Sequence, residues 1–116
     1  MRVFVYGTLK KGGAHHGLLK DSMYIGTAKI KGTMYSLGPY PAVILAGTTD
    51  ILGELYEIDA HTLDVLDQLE GYPNYYDRQE IHTSEGDAHV YFQQWNMDFD
   101  SMPVVKSGCW PVKEAA

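Results

Sequence analysis

The chain has 116 residues, 45% hydrophobic and 21% charged, as suits one globular domain, 1–116, with a single modest core. Its formal net charge of −6 argues against nucleic acid or an anionic membrane surface as partner. One cysteine, Cys109, rules out an internal disulfide, and no stretch approaches the roughly 20 apolar residues that span a bilayer or resembles a signal peptide, so the expectation is a soluble cytoplasmic protein.

Residues 2–6 (RVFVY) are apolar on both alternating faces and predict a buried strand. Gly7, Gly12 and Gly13 punctuate the next stretch, and 14–20 (AHHGLLK) predicts a short helical turn. Two strands, 24–31 and 32–37, are expected to meet near Gly32, with a turn after them at 38–41 (GPYP). A short apolar run at 42–45, a turn at 47–50 (GTTD) and an alternating strand at 51–58 come next. Asp59 is a candidate N-cap for a helix carrying Leu63, Leu66 and Leu69, with Gly71 as its stop. Residues 77–83 and 88–95 predict a hairpin, and the tail from Asn96 reads as irregular. Many short strands with one firm helix point to the α+β class, with a closed or nearly closed sheet carrying the helix.

Two stretches carry chemistry. The first, YGTLKKGG at 6–13, has two glycines at phosphate-loop separation, but Gly13 stands where that loop needs its lysine. A strand ending in Gly-Thr-Leu can be an ordinary turn, or it can present backbone N–H groups to a ligand oxygen. Lys10 and Lys11 are expected to be rim charges. The second stretch is LDQLEGYPNYYDR at 66–78. Here Leu66 and Leu69 are expected to face the core, and Asp67 and Gln68 the solvent. Glu70 sits at the helix C-terminus, where the macrodipole favours cations. It is either a half-exposed surface glutamate or a carboxyl with a raised pKa, suited to acid/base work near neutrality.

The five histidines lack ligand spacing, so solvated or hydrogen-bonded roles are expected. Cys109 is expected to be a buried small hydrophobe rather than a nucleophile, and Asp98 and Asp100 to face solvent.

Taken together, VYGTLKKG at 5–12, GELYEID at 53–59 and LDQLEGYPNYYDR at 66–78, with VYFQQW at 90–95 and SGCW at 107–110, resemble the γ-glutamylcyclotransferase-like family. The resemblance implies a small, mostly antiparallel β-barrel with a few flanking helices and a pocket at the barrel mouth. It implies substrate-binding residues Tyr6, Gly7, Thr8, Leu9 and Tyr76, with Glu70 as the catalytic acid/base. The implied reaction closes a γ-glutamyl amine or amino acid to 5-oxoproline and releases the amine. The implied partner is a small γ-glutamyl compound, with neither metal nor organic cofactor, and the oligomeric state is left open. A different class of function, a non-catalytic binding module, would keep the same barrel and pocket with an idle Glu70.

Overall fold

The computed structural model describes residues 1–94, 99 and 101–111. Trp95, Asn96, Asp98 and Asp100, named above, lie outside the described residues. Five strands form one sheet in the order β2-β3-β1-β5-β4. They are β1 (Arg2–Val5), β2 (Met23–Ser36), β3 (Pro41–Glu57), β4 (Asp77–Thr83) and β5 (Gly86–Phe92), with one α-helix, α1 (Ala60–Glu70), between β3 and β4. The expected turn after the first loop is a 3-10 turn, His16–Leu19. Pairing is antiparallel except between β1 and β5, which run parallel.

Among the described residues the sheet does not close, so the expected barrel is not confirmed. Its two edge strands approach through the β4–β5 turn, where Lys29 N donates to Ser84 Oγ (2.9 Å) and Ser84 N donates to Lys29 O (3.0 Å). Among the described residues no ladder extends that contact. The few flanking helices reduce, among the described residues, to α1 and the 3-10 turn.

A second correction concerns β2 and β3. Three shorter strands and a short apolar run were expected, and two long strands form. The turn residues at 47–50 do not separate strands, because Gly47 and Thr48 fall within a bulge while Thr49 and Asp50 pair with β2. Gly32 pairs with Thr49, while the next residue, Thr33, pairs with Ile44. The extra residues are accommodated at Gly47, whose φ of 110° favours glycine. A Cβ there would also collide with the Thr33 hydroxyl, which donates to Ala46 O at 2.8 Å. The hairpin at the other edge forms as expected, with β5 ending at Phe92.

β1 sits in the middle of the sheet and buries both faces. On one face Val3 and Val5 pack with Tyr56, Ile58, Leu63 and Leu66, so that α1 covers this side. On the other, Phe4 packs with Ile30, Met34, Ile51, Leu55, Val90 and, from the tail, Val105. The tail is fastened along β2 and β3: Val105 N donates to Met34 O, Ser36 N to Pro103 O and Leu52 N to Gly108 O, at 2.8–2.9 Å. Among the described residues no helix is long and apolar enough to cross a membrane.

Candidate active site

The helix that carries Glu70 is set at both ends by local chemistry. Asp59 Oδ1 accepts from Thr62 N at 2.8 Å, capping the start. Gly71 takes the left-handed conformation, φ 64°, and its N–H returns to Gln68 O, while Tyr72 N returns to Asp67 O. This Schellman arrangement stops the helix directly after Glu70. The chain then folds back, with Tyr75 N donating to Gly71 O and Tyr76 N to Glu70 O, so both tyrosines stand over the helix end.

The loop after β1 is held by its own residues. Lys10 N donates to Gly7 O and His15 N to Thr8 O, while His15 Nδ1 pairs with Thr8 Oγ1 and His16 Nδ1 with Leu9 O, both at 2.9 Å. The expected hydrogen-bonded role of these two histidines is met. Gly7 is required by close approach: a Cβ would lie 2.9 Å from Pro41 Cγ. Among the described residues no protein acceptor takes the N–H groups of Thr8 and Leu9, which leaves two donors available at the loop.

Loop and helix end meet around a cavity of about 230 Å³. Tyr6, Gly7, Thr8, Leu9, Glu70 and Tyr76, all named from the sequence, line it. Burial raises the Glu70 carboxyl to about 7, as a group largely removed from water resists ionisation. Burial also pushes the Tyr6, Tyr76 and Tyr91 phenols up, and each of the three feels the Glu70 charge. Tyr75 is pushed up to about 12 by partial burial and its bond to Tyr40, 2.9 Å between hydroxyl oxygens.

Several expectations require correction here. Leu69 does not face the core; it is 37% exposed and lines the cavity, whereas Leu66 is fully buried. Asp67 is not solvated: it holds Arg78 and accepts from the Tyr91 hydroxyl at 2.6 Å. Lys10 is no rim charge, because its ammonium donates to Trp110 O at 2.6 Å and lies 4.0 Å from the Cys109 sulfur. Lys11 sits over the Tyr24 ring, 3.4 Å from its centre, away from the cavity. Cys109 is half-buried rather than buried. Sequence reading also passed over Tyr40, Pro41, His15 and Tyr91, which complete the wall. For Asp67 a signal did exist: it stands three residues before Glu70 in the same motif as Arg78, at a spacing that shares a helix face. Among the described residues no group of His, Cys, Asp and Glu side chains is placed to hold a metal ion.

A small, partly apolar cavity with a few convergent polar groups and one half-buried carboxyl defines a small-molecule pocket in an α+β domain. Comparison with known proteins then places the chain. A family model described as Gamma-glutamyl cyclotransferase, AIG2-like, matches residues 3–112, and the chain belongs to that family. It is 37% identical over 113 residues to the Gamma-glutamylcyclotransferase family protein YtfP of Escherichia coli, covering 95% of this chain and 96% of the relative. It is 39% identical over 95 residues to a Gamma-glutamylaminecyclotransferase of Bos taurus, covering 71% of this chain and 55% of that protein; the chain thus spans about half of the bovine relative. The solution structure of the E. coli protein superposes with a TM-score of 0.74 at 37% identity, covering 96% of both chains. A crystal structure from Pyrococcus horikoshii superposes with a TM-score of 0.79 at 28% identity, covering 94% of this chain and 88% of the other.

Proposed function

We propose that this protein cyclises a γ-glutamyl amine or γ-glutamyl amino acid to 5-oxoproline and releases the amine, with Glu70 as general acid/base. The observation that carries this reading is the meeting of Glu70, raised to about 7, with the loop of Tyr6, Gly7, Thr8 and Leu9 around one cavity. The cavity is somewhat smaller than the about 300 Å³ at which drug-sized sites begin, in keeping with a γ-glutamyl head whose leaving amine extends outward. The name of the bovine relative supports a γ-glutamyl amine as one substrate class.

In this reading the nucleophile and the electrophile belong to one molecule, so holding the γ-glutamyl unit folded provides the proximity. Ionised Glu70 takes a proton from the α-ammonium. The freed amine attacks the γ-carbonyl carbon and forms the ring C–N bond, leaving an oxyanion. The N–H groups of Thr8 and Leu9, which no acceptor among the described residues takes, are the donors proposed to receive that oxyanion. Glu70 returns its proton to the departing nitrogen as the original C–N bond breaks. The ring nitrogen, left with two hydrogens, gives one to the regenerated Glu70 carboxylate, which passes it to the released amine, so the ring nitrogen keeps one of the ammonium's three hydrogens and the other two leave on the amine. A carboxyl poised near 7 can act in both directions at neutral pH.

The test is a panel of γ-glutamyl amines, γ-glutamyl amino acids and glutathione, assayed for 5-oxoproline. The wild-type chain is expected to turn over at least one of these classes, with Glu70→Gln reduced by about 10²–10⁴. Full turnover by Glu70→Gln would refute the assigned mechanism.

A further inference from the structure

The turn that carries the Thr8 and Leu9 N–H groups is tied to a segment far along the chain. Lys10 N donates to Gly7 O at 3.1 Å, which closes a turn with Thr8 and Leu9 at its centre. Gly13 N donates to Lys10 O at 2.8 Å and closes a second turn on the first, so Lys10 is the residue that both share. The Leu9 side chain is buried in the cluster with Leu19 and Tyr56, and Lys11 N donates to Glu54 Oε1 on β3 at 2.9 Å. The remaining tie is the Lys10 side chain. Its ammonium donates to the carbonyl of Trp110 at 2.6 Å, 100 positions away in sequence. An ammonium donor makes this the stronger kind of hydrogen bond, and partial burial reduces the competition from water.

The acceptor is itself anchored. Trp110 packs against the core cluster that contains Phe4, Ile51 and Val90. Gly108, just before it, accepts from Leu52 N at 2.9 Å and lies so close to β3 that a Cβ would meet Asp50 O. Val105 is buried and donates to Met34 O. Yet among the described residues none from 101–111 lines the cavity. We infer that Lys10 is a positioning residue: its bond to Trp110 O holds the turn so that the Thr8 and Leu9 N–H groups stay in place at the cavity. The C-terminal segment thereby sets the donor geometry of a site that it does not line. For a cyclotransferase those donors act on the oxyanion, and this role rests on the function proposed above. The oxyanion exists only after attack, so donors that drift lower kcat and leave KM nearly unchanged.

The test uses the full chain and its variants. Lys10→Met keeps most of the stem and removes the ammonium. Lys10→Arg keeps a cation that can donate to a single carbonyl. Lys11→Met removes an equal charge from a side chain that lies over Tyr24. NMR relaxation gives the order parameters of the Thr8 and Leu9 N–H groups, about 0.85 for rigid backbone and below about 0.6 for flexible backbone. Both groups are expected to be rigid in the parent, Lys10→Arg and Lys11→Met, and flexible in Lys10→Met. In 5-oxoproline formation, Lys10→Met is expected to lose about 10–10² in kcat with KM within about threefold. Lys10→Arg is expected to stay within about threefold of the parent's kcat, and Lys11→Met within about twofold. Melting curves accompany every variant, and Lys10→Gln, one bond shorter than lysine, repeats the measurement should Lys10→Met fail to fold. Rigid Thr8 and Leu9 groups in Lys10→Met overturn the inference, with or without turnover. So does a kcat equal to the parent's, or a loss that Lys10→Arg shares in full or Lys11→Met reproduces. A parent that turns over no γ-glutamyl compound overturns cyclisation instead, and flexible Thr8 and Leu9 groups in Lys10→Met then still support the tie.

Discussion

Asp67 and Arg78 meet in a two-point ion pair, Nε to Oδ1 at 2.9 Å and Nη2 to Oδ2 at 3.1 Å, which ties the last turn of α1 to the start of β4. Both side chains are only 18% exposed, and the guanidinium also lies 4.6 Å over the Tyr72 ring. The planar fork is what makes both bonds at once. Arg78→Lys is therefore expected to lose about 1 kcal/mol of stability and Asp67→Ala about 2 kcal/mol, read from urea unfolding. Equal stability of Asp67→Ala and the parent would show that the pair does not fasten the helix.

Glu70 should make stability fall as pH rises. Its carboxyl titrates near 7 in the fold against 4.5 when unfolded. The folded state therefore binds more protons between those values, and the contribution is complete below 4.5 and lost on rising through 7. Glu70→Gln removes this dependence. The variant should exceed the parent by about 2 kcal/mol at pH 8, after discounting for partial exposure, and match it near pH 4. Urea unfolding at the two pH values is the measurement, and a constant difference would contradict a raised carboxyl.

The two leucines that share helical spacing should behave differently. Leu66 is fully buried against Val3, Val5 and Tyr56, whereas Leu69 is 37% exposed at the cavity. Leu66→Ala is expected to cost about 3 kcal/mol. Leu69→Ala should cost under about 1 kcal/mol and act instead on ligand affinity. Similar losses for both would place Leu69 in the core after all.

Gly7→Ala tests the loop. Its methyl would lie 2.9 Å from Pro41 Cγ and 3.0 Å from Cδ, so loop and β3 must separate at the cavity wall. The expected result is a fall in 5-oxoproline formation of tenfold or more with a stability loss of about 1 kcal/mol. Unimpaired turnover would mean that the Gly7–Pro41 approach does not shape the site.

Much of the fold could be read locally, because its causes are local. Alternation of Val3, Phe4 and Val5 defines a strand buried on both faces, and Asp59 and Gly71 bound α1 through their own hydrogen bonds. Glu70 and loop 6–9 could be singled out by residue type, and their motifs in order pointed to the family that the comparison bears out. What failed was whatever depended on a distant partner. The turn signal at 47–50 is genuine chemistry, but pairing with β2 absorbs it as a bulge.

By itself, then, the sequence determined the central strand, the capped helix and the two motifs, since each arises from residues within a few positions of one another. Only the tertiary structure decided that the sheet stays open among the described residues, that Leu69 turns to the cavity and that Asp67 is engaged by Arg78 and Tyr91. It also decided that Tyr6 and Glu70, 64 positions apart in the chain, line one cavity with Tyr91 from β5. Burial is a property of the assembled neighbours, so the stretch 66–78 left a surface glutamate and a raised carboxyl both open at Glu70, and the commitment of three phenol protons, those of Tyr6, Tyr76 and Tyr91, could not be read from any one stretch of the chain.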